Sequence, residues 1–562
     1  MKHPYYILGL AAALAVATPS FAQNDGDRND GKYNPTVSGS IQSDMLAPTG
    51  SQSDGSHEDF RTNTFVDLNV MSKYIDAGAR FEYREHQLPG YDAAFKGYGV
   101  PYVYLKAKLK NFEVTVGNFY EQFGSGFVLR TYEERSLGID NSLLGARIVT
   151  TPVKGVRLKA LTGQQRRYWA HNDSWVSGAD VELSLDSWFK GLAQSGTSLT
   201  LGGSFVNKNE RNDEDVPFNG NYRLVMPRNV NAWDARVTLN THGFNVLAEY
   251  AQKTADPSFK NKYIYRKGTA AMLSASYSKK GFSVLAQAKR SDNFFFNSYR
   301  GESLAQSTIN HLPAFTMDQT YALAALYPYG TRLDGEWAYQ GQLGYKFKRK
   351  TAIGGKYGMM VKVNFSHVRG IDQNPRSLTV NVPEPTVLTG RGTDGYGSAF
   401  WKWGKGGMYY QDLNVQVDRR FTRDFKLSLM YMNQFYNKTV VEGEGGMIHS
   451  NIFIADALFN LSPKTRLRTE LQYLTTGEDE HDWLFALAEL SLVPHWMFTV
   501  SDQYNVGLTD AHYWQTFVTY NTGAHRVQLG WGRTRAGFNC SGGVCRYVPE
   551  TKGFTLSYNY NF

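Results

Sequence analysis

The sequence predicts an all-β fold: a single large antiparallel transmembrane β-barrel of about 24 strands (range 18–24), with short periplasmic turns and long external loops. The first observation behind this is the stretch Lys552 to Phe562 (KGFTLSYNYNF). Phe554, Leu556, Tyr558, Tyr560 and Phe562 fall on one face of a strand, with Thr555, Ser557, Asn559 and Asn561 on the other. Period-two alternation gives one apolar and one polar face. A terminal aromatic on the apolar face suits the interfacial girdle of a closing barrel strand. The second observation is an alternation of short and long connections, set out below. The third is composition: 36 Tyr, 33 Phe and 54 Gly in 562 residues at a mean hydropathy of −0.43. That balance is foreign to a helical membrane protein and natural for strands wetted on one side.

Met1 to Ala22 reads as a secretory signal peptide, with Lys2 and His3 as the basic start, Tyr5 to Ala17 as the apolar stretch and Ser20-Phe21-Ala22 at the cut. Residues 23–35 form a polar, aperiodic tail expected in the periplasm. Residues 36–562 form the barrel. No other run approaches the roughly 18 apolar residues of a spanning helix. An even strand number puts both termini in the periplasm. Strands begin soon after Gly31, so no separate plug domain of the TonB-linked type is expected ahead of them.

Several strands show their faces clearly. Ile75, Ala77, Ala79, Phe81 and Tyr83 oppose Asp76, Arg80, Glu82 and Arg84. Val103, Leu105, Ala107 and Leu109 oppose Tyr102, Tyr104, Lys106 and Lys108. Val156, Leu158 and Ala160 oppose Arg157 and Lys159, and Leu467, Thr469, Leu471 and Tyr473 oppose Arg466, Arg468, Glu470 and Gln472. In a barrel the apolar sets face lipid and the charged sets line the lumen. Alternation alone does not separate this from a soluble sandwich. Connection lengths do. Tight turns such as Lys110-Asn111, His242-Gly243 and Ser462 to Lys464 alternate with the long stretches Pro48 to Asp59, Gly124 to Asn141, Glu210 to Arg228, Phe295 to Gly335 and Gly370 to Gly407. Structureless loops of that length count against an ordinary compact domain. The least regular stretches are Trp188 to Thr197, Phe295 to Gly335 and Arg349 to Gly358, and losing a hairpin in one of them leaves 22 strands or fewer.

Sixty basic residues against 51 acidic ones give a net charge of +9 without any basic run that would track a phosphate backbone, which argues against nucleic acid. No HExxH, P-loop or GxSxG occurs, and His171, His367, His449, His481, His495 and His512 are scattered. Neither an enzyme, a metal site nor a cofactor is expected. Cys540 and Cys545 are the two cysteines, in the Gly-rich turn CSGGVC. In an exported chain they are expected to form a local disulfide rather than a metal or redox pair.

Glu121 to Asn141 concentrates Arg130, Glu133, Glu134, Arg135 and Asp140. This segment either folds into the lumen as a charged constriction or remains a solvated external loop. Tyr299, Phe315, Tyr321, Tyr327 and Tyr329, and then Tyr396, Phe400, Trp401 and Trp403, crowd the two longest loops. Aromatic faces there suit ligand or partner binding, or pack over the mouth.

Ser40 to Leu46 (SIQSDML), Phe112 to Arg135 (FEVTVGNFYEQFGSGFVLRTYEER), Asn141 to Arg147 (NSLLGAR) and Phe538 to Phe562 resemble an uncharacterised family of Bacteroidota outer-membrane barrels. The resemblance implies fold and location and transfers no functional residue. Tyr558, Tyr560 and Phe562 look like the signal read by the barrel-assembly machinery. The expectation is a monomeric barrel in the bacterial outer membrane, embedded in its lipid, acting as a channel or binding protein for small hydrophilic solutes. The alternative is a non-conducting accessory subunit of a larger envelope complex for nutrient uptake, secretion or barrel assembly.

These faces predict that Leu471→Arg, which turns a charge toward lipid, costs about 2–4 kcal/mol. Arg468→Gln, on the wetted side, is expected to be nearly silent. Unfolding in lipid vesicles measures both, and equal effects would mean the two faces are interchanged.

Overall fold

The computed structural model describes residues 35–50, 60–211, 216–218, 221–379 and 386–562. The expected signal peptide, residues 1–22, and nearly all of the expected tail, residues 23–35, lie outside the described residues. Twenty-four antiparallel strands follow one another as a meander. The first twelve are β1 (Thr36–Pro48), β2 (Arg61–Met71), β3 (Ile75–Arg84), β4 (Gly97–Leu109), β5 (Phe112–Phe119), β6 (Leu143–Thr150), β7 (Val156–Arg167), β8 (Ala170–Ser184), β9 (Thr197–Asn209), β10 (Asn229–Thr241), β11 (Phe244–Lys253) and β12 (Gly268–Lys279). The second twelve are β13 (Phe282–Asp292), β14 (Gly335–Phe347), β15 (Met359–Ile371), β16 (Trp403–Arg420), β17 (Phe425–Asn437), β18 (Met447–Ser462), β19 (Thr465–Thr475), β20 (Asp482–Leu492), β21 (Trp496–Val506), β22 (His512–Thr522), β23 (His525–Thr534) and β24 (Thr551–Asn561). β24 pairs with β23 on one side and with β1 on the other, which closes the cylinder. Closure removes every sheet edge, the condition for a strand-built membrane span.

The outer face is apolar, with Leu105, Leu273, Phe453, Leu471, Val500 and Leu529 all exposed. Only a hydrocarbon layer satisfies a belt of that kind. Aromatic groups mark its two borders. Near one rim lie the Phe244–Tyr277, Phe425–Phe459 and Trp496–Tyr520 pairs. Near the other lie Trp233–Tyr250, Trp337–Tyr339 and Trp531–Phe554. The seam carries its own stack: the Tyr560 ring lies 4.2 Å from His525, and Phe562 lies 5.4 Å from Tyr560. Gly39 and Phe562 exchange two backbone hydrogen bonds of 2.8 and 3.0 Å. A Cβ on Gly39 would stand 2.4 Å from the Phe562 ring, so the bare backbone is what lets the last aromatic settle.

Connections sort by rim. On one, termed here the turn rim, most are two to five residues, such as 110–111 and 463–464. On the other, the loop rim, lie residues 120–142, 293–334 and 372–402. The rule has exceptions. Residues 168–169 make a tight turn on the loop rim. On the turn rim, Leu185–Ser187 and Lys190–Gln194 wind into short helical turns, with the Trp188 indole donating to the Lys154 carbonyl at 2.8 Å. The count of 24 is reached without a barrel strand in residues 188–196, 295–334 or 349–358. Strand lengths run from 8 residues in β5 and β6 to 18 in β16.

Inward side chains are buried mainly toward the loop rim. In β17 the buried set is Ser428, Met430, Met432, Gln434 and Tyr436, and in β18 it is Ile448, Ser450, Ile452 and Ile454. On the turn-rim half, inward groups such as Arg157, Lys362 and Lys426 stay about half exposed. The loop-rim half of the lumen is filled by the protein's own connections. Phe123, Phe127, Val128 and Leu129 pack with Phe294, Phe296 and Ile309 against Leu143, Val176, Val206 and Val230 of the wall. A second cluster sets Phe315, Leu323, Tyr327 and Tyr329 against Met432, Tyr436, Ile452 and Trp483. A wholly buried Phe or Leu contributes roughly 1.5–3 kcal/mol, against about 1 kcal/mol net for a hydrogen bond, so apolar contact supplies most of the hold.

The filled lumen changes one expectation. Arg468 grips Asp456 at 3.1 Å and also pairs with Glu470, which is 4% exposed. Removing the guanidinium leaves a buried carboxylate poorly compensated, so Arg468→Gln is not silent. It should cost about 1 kcal/mol, Arg468 itself being one-third exposed and screened. Leu471→Arg should remain the costlier of the two when their unfolding in vesicles is compared.

Candidate functional site

The segment between β5 and β6, residues 120–142, enters the lumen and is pinned to the wall by charge. Asp140 binds Arg166 of β7 at 2.6 Å and also pairs with Arg80 of β3. Arg80 in turn holds Glu133 at 2.7 Å and Glu82 at 3.0 Å. Arg135 reaches Asp67 of β2 at 2.9 Å, and Glu121 takes Lys159 of β7 at 2.9 Å and also pairs with Arg147. Burying such ions is expensive unless each is matched, and losing one partner costs about 3–5 kcal/mol. Here the signs balance: Arg80, Arg84 and Arg166 face Glu82, Glu133 and Asp140.

Residues 293–334 interlock with that segment. The Arg130 amide donates to the Ile309 carbonyl at 2.8 Å, and the His311 amide to the Gly126 carbonyl at 2.9 Å. Asn141 Nδ2 donates to the Thr308 carbonyl, and Gln306 Nε2 to the Gly138 carbonyl, both at 2.9 Å. Wall groups answer as well: Gln472 Oε1 accepts from the Leu323 amide at 2.8 Å, and Lys289 pairs with Glu336 at 2.9 Å while donating to the Pro313 carbonyl. A hairpin, Gly537–Ser541 with Val544–Val548, straps both segments and carries the Cys540–Cys545 disulfide. The Gly543 carbonyl accepts from the Thr331 amide at 2.8 Å, and Arg546 donates to the Ser136 carbonyl at 2.9 Å.

Above the interlock lies a cavity of about 810 Å³. Six loop-rim connections reach it, through Tyr132, Lys260, His311, Tyr396, Val441 and Phe538 among others. Size and lining fit a small-molecule cleft, aromatic faces beside a few convergent polar groups. Asn310 and Thr331 line it and are the polar neighbours of its apolar floor, Leu312 and Leu333. Among the described residues no cluster of three His, Cys, Asp or Glu side chains is arranged to hold a metal ion.

Each residue singled out above has a definite place. Glu133, Arg135 and Asp140 join the buried network. Arg130 and Glu134 do not. The Arg130 guanidinium lies 4.8 Å over the Tyr132 ring, and the Glu134 carboxylate accepts from the Ser136 amide at 3.2 Å. Arg80, Glu82 and Arg84 are buried beneath the segment. Lys108 pairs with Asp76 at 2.7 Å, Lys106 stands 3.9 Å from Glu113, and Arg157 stands 4.0 Å from Glu182. Arg466 is exposed. Tyr558 shares a 2.9 Å hydrogen bond with His525. Phe315, Tyr327 and Tyr329 pack inside the lumen, whereas Trp401 is 84% exposed. Two central residues carry no mark in the sequence. Arg166 sits at an alternation break, where β7 and β8 shift register between His171 and Trp175. His311 is one histidine among twelve.

Burial raises the Asp140 carboxyl, but Arg166 and Arg80 beside it hold it below the usual carboxylate range. Glu121 behaves alike, with Lys159 and Arg147 outweighing burial. At His311, burial and then the nearby Arg130 and Lys289 charges all oppose protonation and push the ring down to about 3. The unfolded ring titrates near 6.5, so this contribution is fully present above pH 6.5 and is lost as pH falls toward 3. The carboxylates act in the same direction, but below their own unfolded values near 4. Between pH 6.5 and 5 the interlock should weaken through His311 by about 1.6 kcal/mol in all, the slope rising toward about 1.4 kcal/mol per unit. Hydrogen exchange of residues 293–334 should quicken over that range in the wild type and change less in His311→Gln. Equal slopes would exclude the histidine.

The structure is similar to the siderophore receptor PirA of Pseudomonas aeruginosa at 10% identity and a TM-score of 0.41, covering 96% of this chain and 81% of that one. It is similar to the P pilus usher PapC translocation pore at 9% identity and 0.44, covering 94% and 99%. It is similar to OccAB3 of Acinetobacter baumannii at 9% and 0.33, covering 94% and 99%. No functional assignment follows from likenesses of this size. No curated protein matches the chain. A family pattern does, over residues 2–562: the chain belongs to the family of unknown function DUF6029.

Proposed function

We propose that this is an outer-membrane barrel, closed at rest, that binds a small hydrophilic solute in the loop-rim cleft. The observation that carries the reading is the pairing of two features: a cleft of about 810 Å³ built by six connections, and beneath it apolar clusters by which two of those connections, 120–142 and 293–334, fill the loop-rim half of the lumen. A cavity so lined can hold a solute, and a plug whose resting place is fixed by matched charges can be displaced by a change in those matches. In this reading the loop rim faces outward, the termini and turn rim face the periplasm, and the disulfide hairpin stands on the outer, oxidising side. The chain inserts as a monomer through the barrel-assembly machinery, which reads Tyr558, Tyr560 and Phe562. Resemblance of sequence favours a bacteroidotal outer membrane. No catalysis is assigned to it.

The loop-filled half of the lumen itself favours a second reading, a non-conducting accessory subunit of a larger envelope complex. Stoichiometric co-purification of a partner, with no solute held by the isolated barrel, would favour it over the first.

The test is conductance across planar bilayers. The wild type should give no single-channel steps. Asp140→Asn with Phe127→Ala, which removes an ionic pin and a buried ring, should give openings. Steady openings from the wild type would overturn the closed state, and a silent double variant of native heat-modifiability would overturn release through this segment.

A further inference from the structure

The connection between β11 and β12, residues 254–267, brings a tight turn into the lining of the loop-rim cleft. The Ser258 amide donates to Asn261 Oδ1 at 2.8 Å, and Asn261 Nδ2 donates to the Asp256 carbonyl at 2.9 Å. The Phe259 amide donates to the Arg300 carbonyl at 2.9 Å, which ties the turn to residues 293–334. Lys262 and Tyr263 then stand at φ +56° and +58°, left-handed backbone in two consecutive residues other than glycine. Such a conformation is costly and persists only where the surroundings enforce it. Its result here is a fixed placement for two lysines. Lys260 and Lys262 both line the cleft, and both line an adjoining recess of about 600 Å³, with Phe295 and Ser303 beside them.

The charges of the cleft do not cancel. Its lining holds Lys260, Lys262 and Arg332 against a single acid, Asp334, so cations exceed acids by two. Arg332 and Asp334 satisfy one another through two hydrogen bonds, of 2.8 and 3.1 Å. His311, pushed down to about 3, adds no charge at neutral pH. The excess is therefore Lys260 and Lys262. Among the described residues neither ammonium has an ion-pair or hydrogen-bond partner. Burial pushes the Lys260 ammonium down to about 8, and only the field of Glu302 opposes it. Glu302 is itself buried and held by Arg167 at 2.9 Å. In the network around Asp140 the signs balance, whereas here they are left open.

Both lysines are within reach of a solute, Lys260 being partly exposed and Lys262 exposed. Cations gathered in a cleft with low-dielectric walls concentrate anions there. A bound anion would also offset the cost of keeping Lys260 charged. Exposed Leu304 in the cleft and Phe259 in the recess offer apolar surface to the rest of such a molecule. We propose, given the cleft reading above, that its solute is a small organic anion, a carboxylate or phosphate monoester whose charged group is held by Lys260 and Lys262.

The full chain in detergent is titrated with glucose 6-phosphate, glucuronate and glucose, while ligand signals are followed by NMR. The two anions should bind at least tenfold more tightly than glucose at low ionic strength. That margin should shrink in 1 M sodium chloride, where screening acts over about 3 Å. Lys260→Gln should weaken the anions about tenfold, the loss of one charge-assisted hydrogen bond, and leave glucose unchanged. Lys260→Arg should retain them, and Lys262→Gln, at the more exposed position, should weaken them about threefold, with native heat-modifiability throughout. Leu304→Trp, which narrows the cleft, should weaken all three. Glucose bound as tightly as the anions and lost in Leu304→Trp overturns the anion and leaves the cleft reading intact. Anion affinity indifferent to both glutamine variants overturns the assignment to these lysines. Binding that survives Leu304→Trp unchanged, or no binding of any of the three, overturns the cleft reading and the anion with it.

Discussion

Twenty-four strands enclose more space than inward side chains can fill, and barrels of this width hold either water or a plug. The rest of the structure follows from how that space is closed. No separate domain does it among the described residues. Two connections that begin and end on the same rim turn inward, and each buries a row of aromatic and aliphatic groups. Because they start from the wall they must cover, their reach limits the fill to one half of the cylinder. The other half stays wetted, and the inward faces there keep their lysines and arginines part-exposed.

Filling a wetted barrel with loops sets an electrostatic condition. Inward strand positions are polar because they meet water while the barrel inserts. Once covered, each charge needs a counter-charge at contact distance. The chain meets this by placing acids in the segment 120–142 opposite bases in β3, β6 and β7, and a base, Arg135, opposite Asp67. Apolar contact supplies most of the adhesion, while the ion pairs fix where the segment comes to rest. A slip by one residue would unmatch several buried charges together.

The fold was largely legible in the sequence, because a period of two, aromatic borders and unequal connections are local signals that survive without tertiary knowledge. Arg80, Glu82 and Arg84 were legible as inward-facing for the same reason. What they touch was not. Whether Asp140 ends in water or against Arg166 depends on a register shift in β7 and β8, which no alternation reveals. The aromatic loops carried the same ambiguity. Phe315 and Tyr327 turned inward and Trp401 outward, and loop sequences have no period to tell these apart. The disulfide turn was plain from spacing and export, but its role as a strap across two distant segments is a property of the assembled barrel.

The segment 120–142 borders two cavities, the loop-rim cleft at Tyr132 and a smaller one of about 400 Å³ at Glu133, and this has a thermodynamic consequence. Tyr132 and Glu133 are covalent neighbours, so the segment cannot move for one cavity and stay still for the other. If occupancy of either cavity favours one seating of the segment, each occupant must alter the other's affinity by the same factor, whichever arrives first. Such coupling is reciprocal and by itself favours neither direction of passage. Any one-way flow through the barrel would have to be driven from outside the molecule.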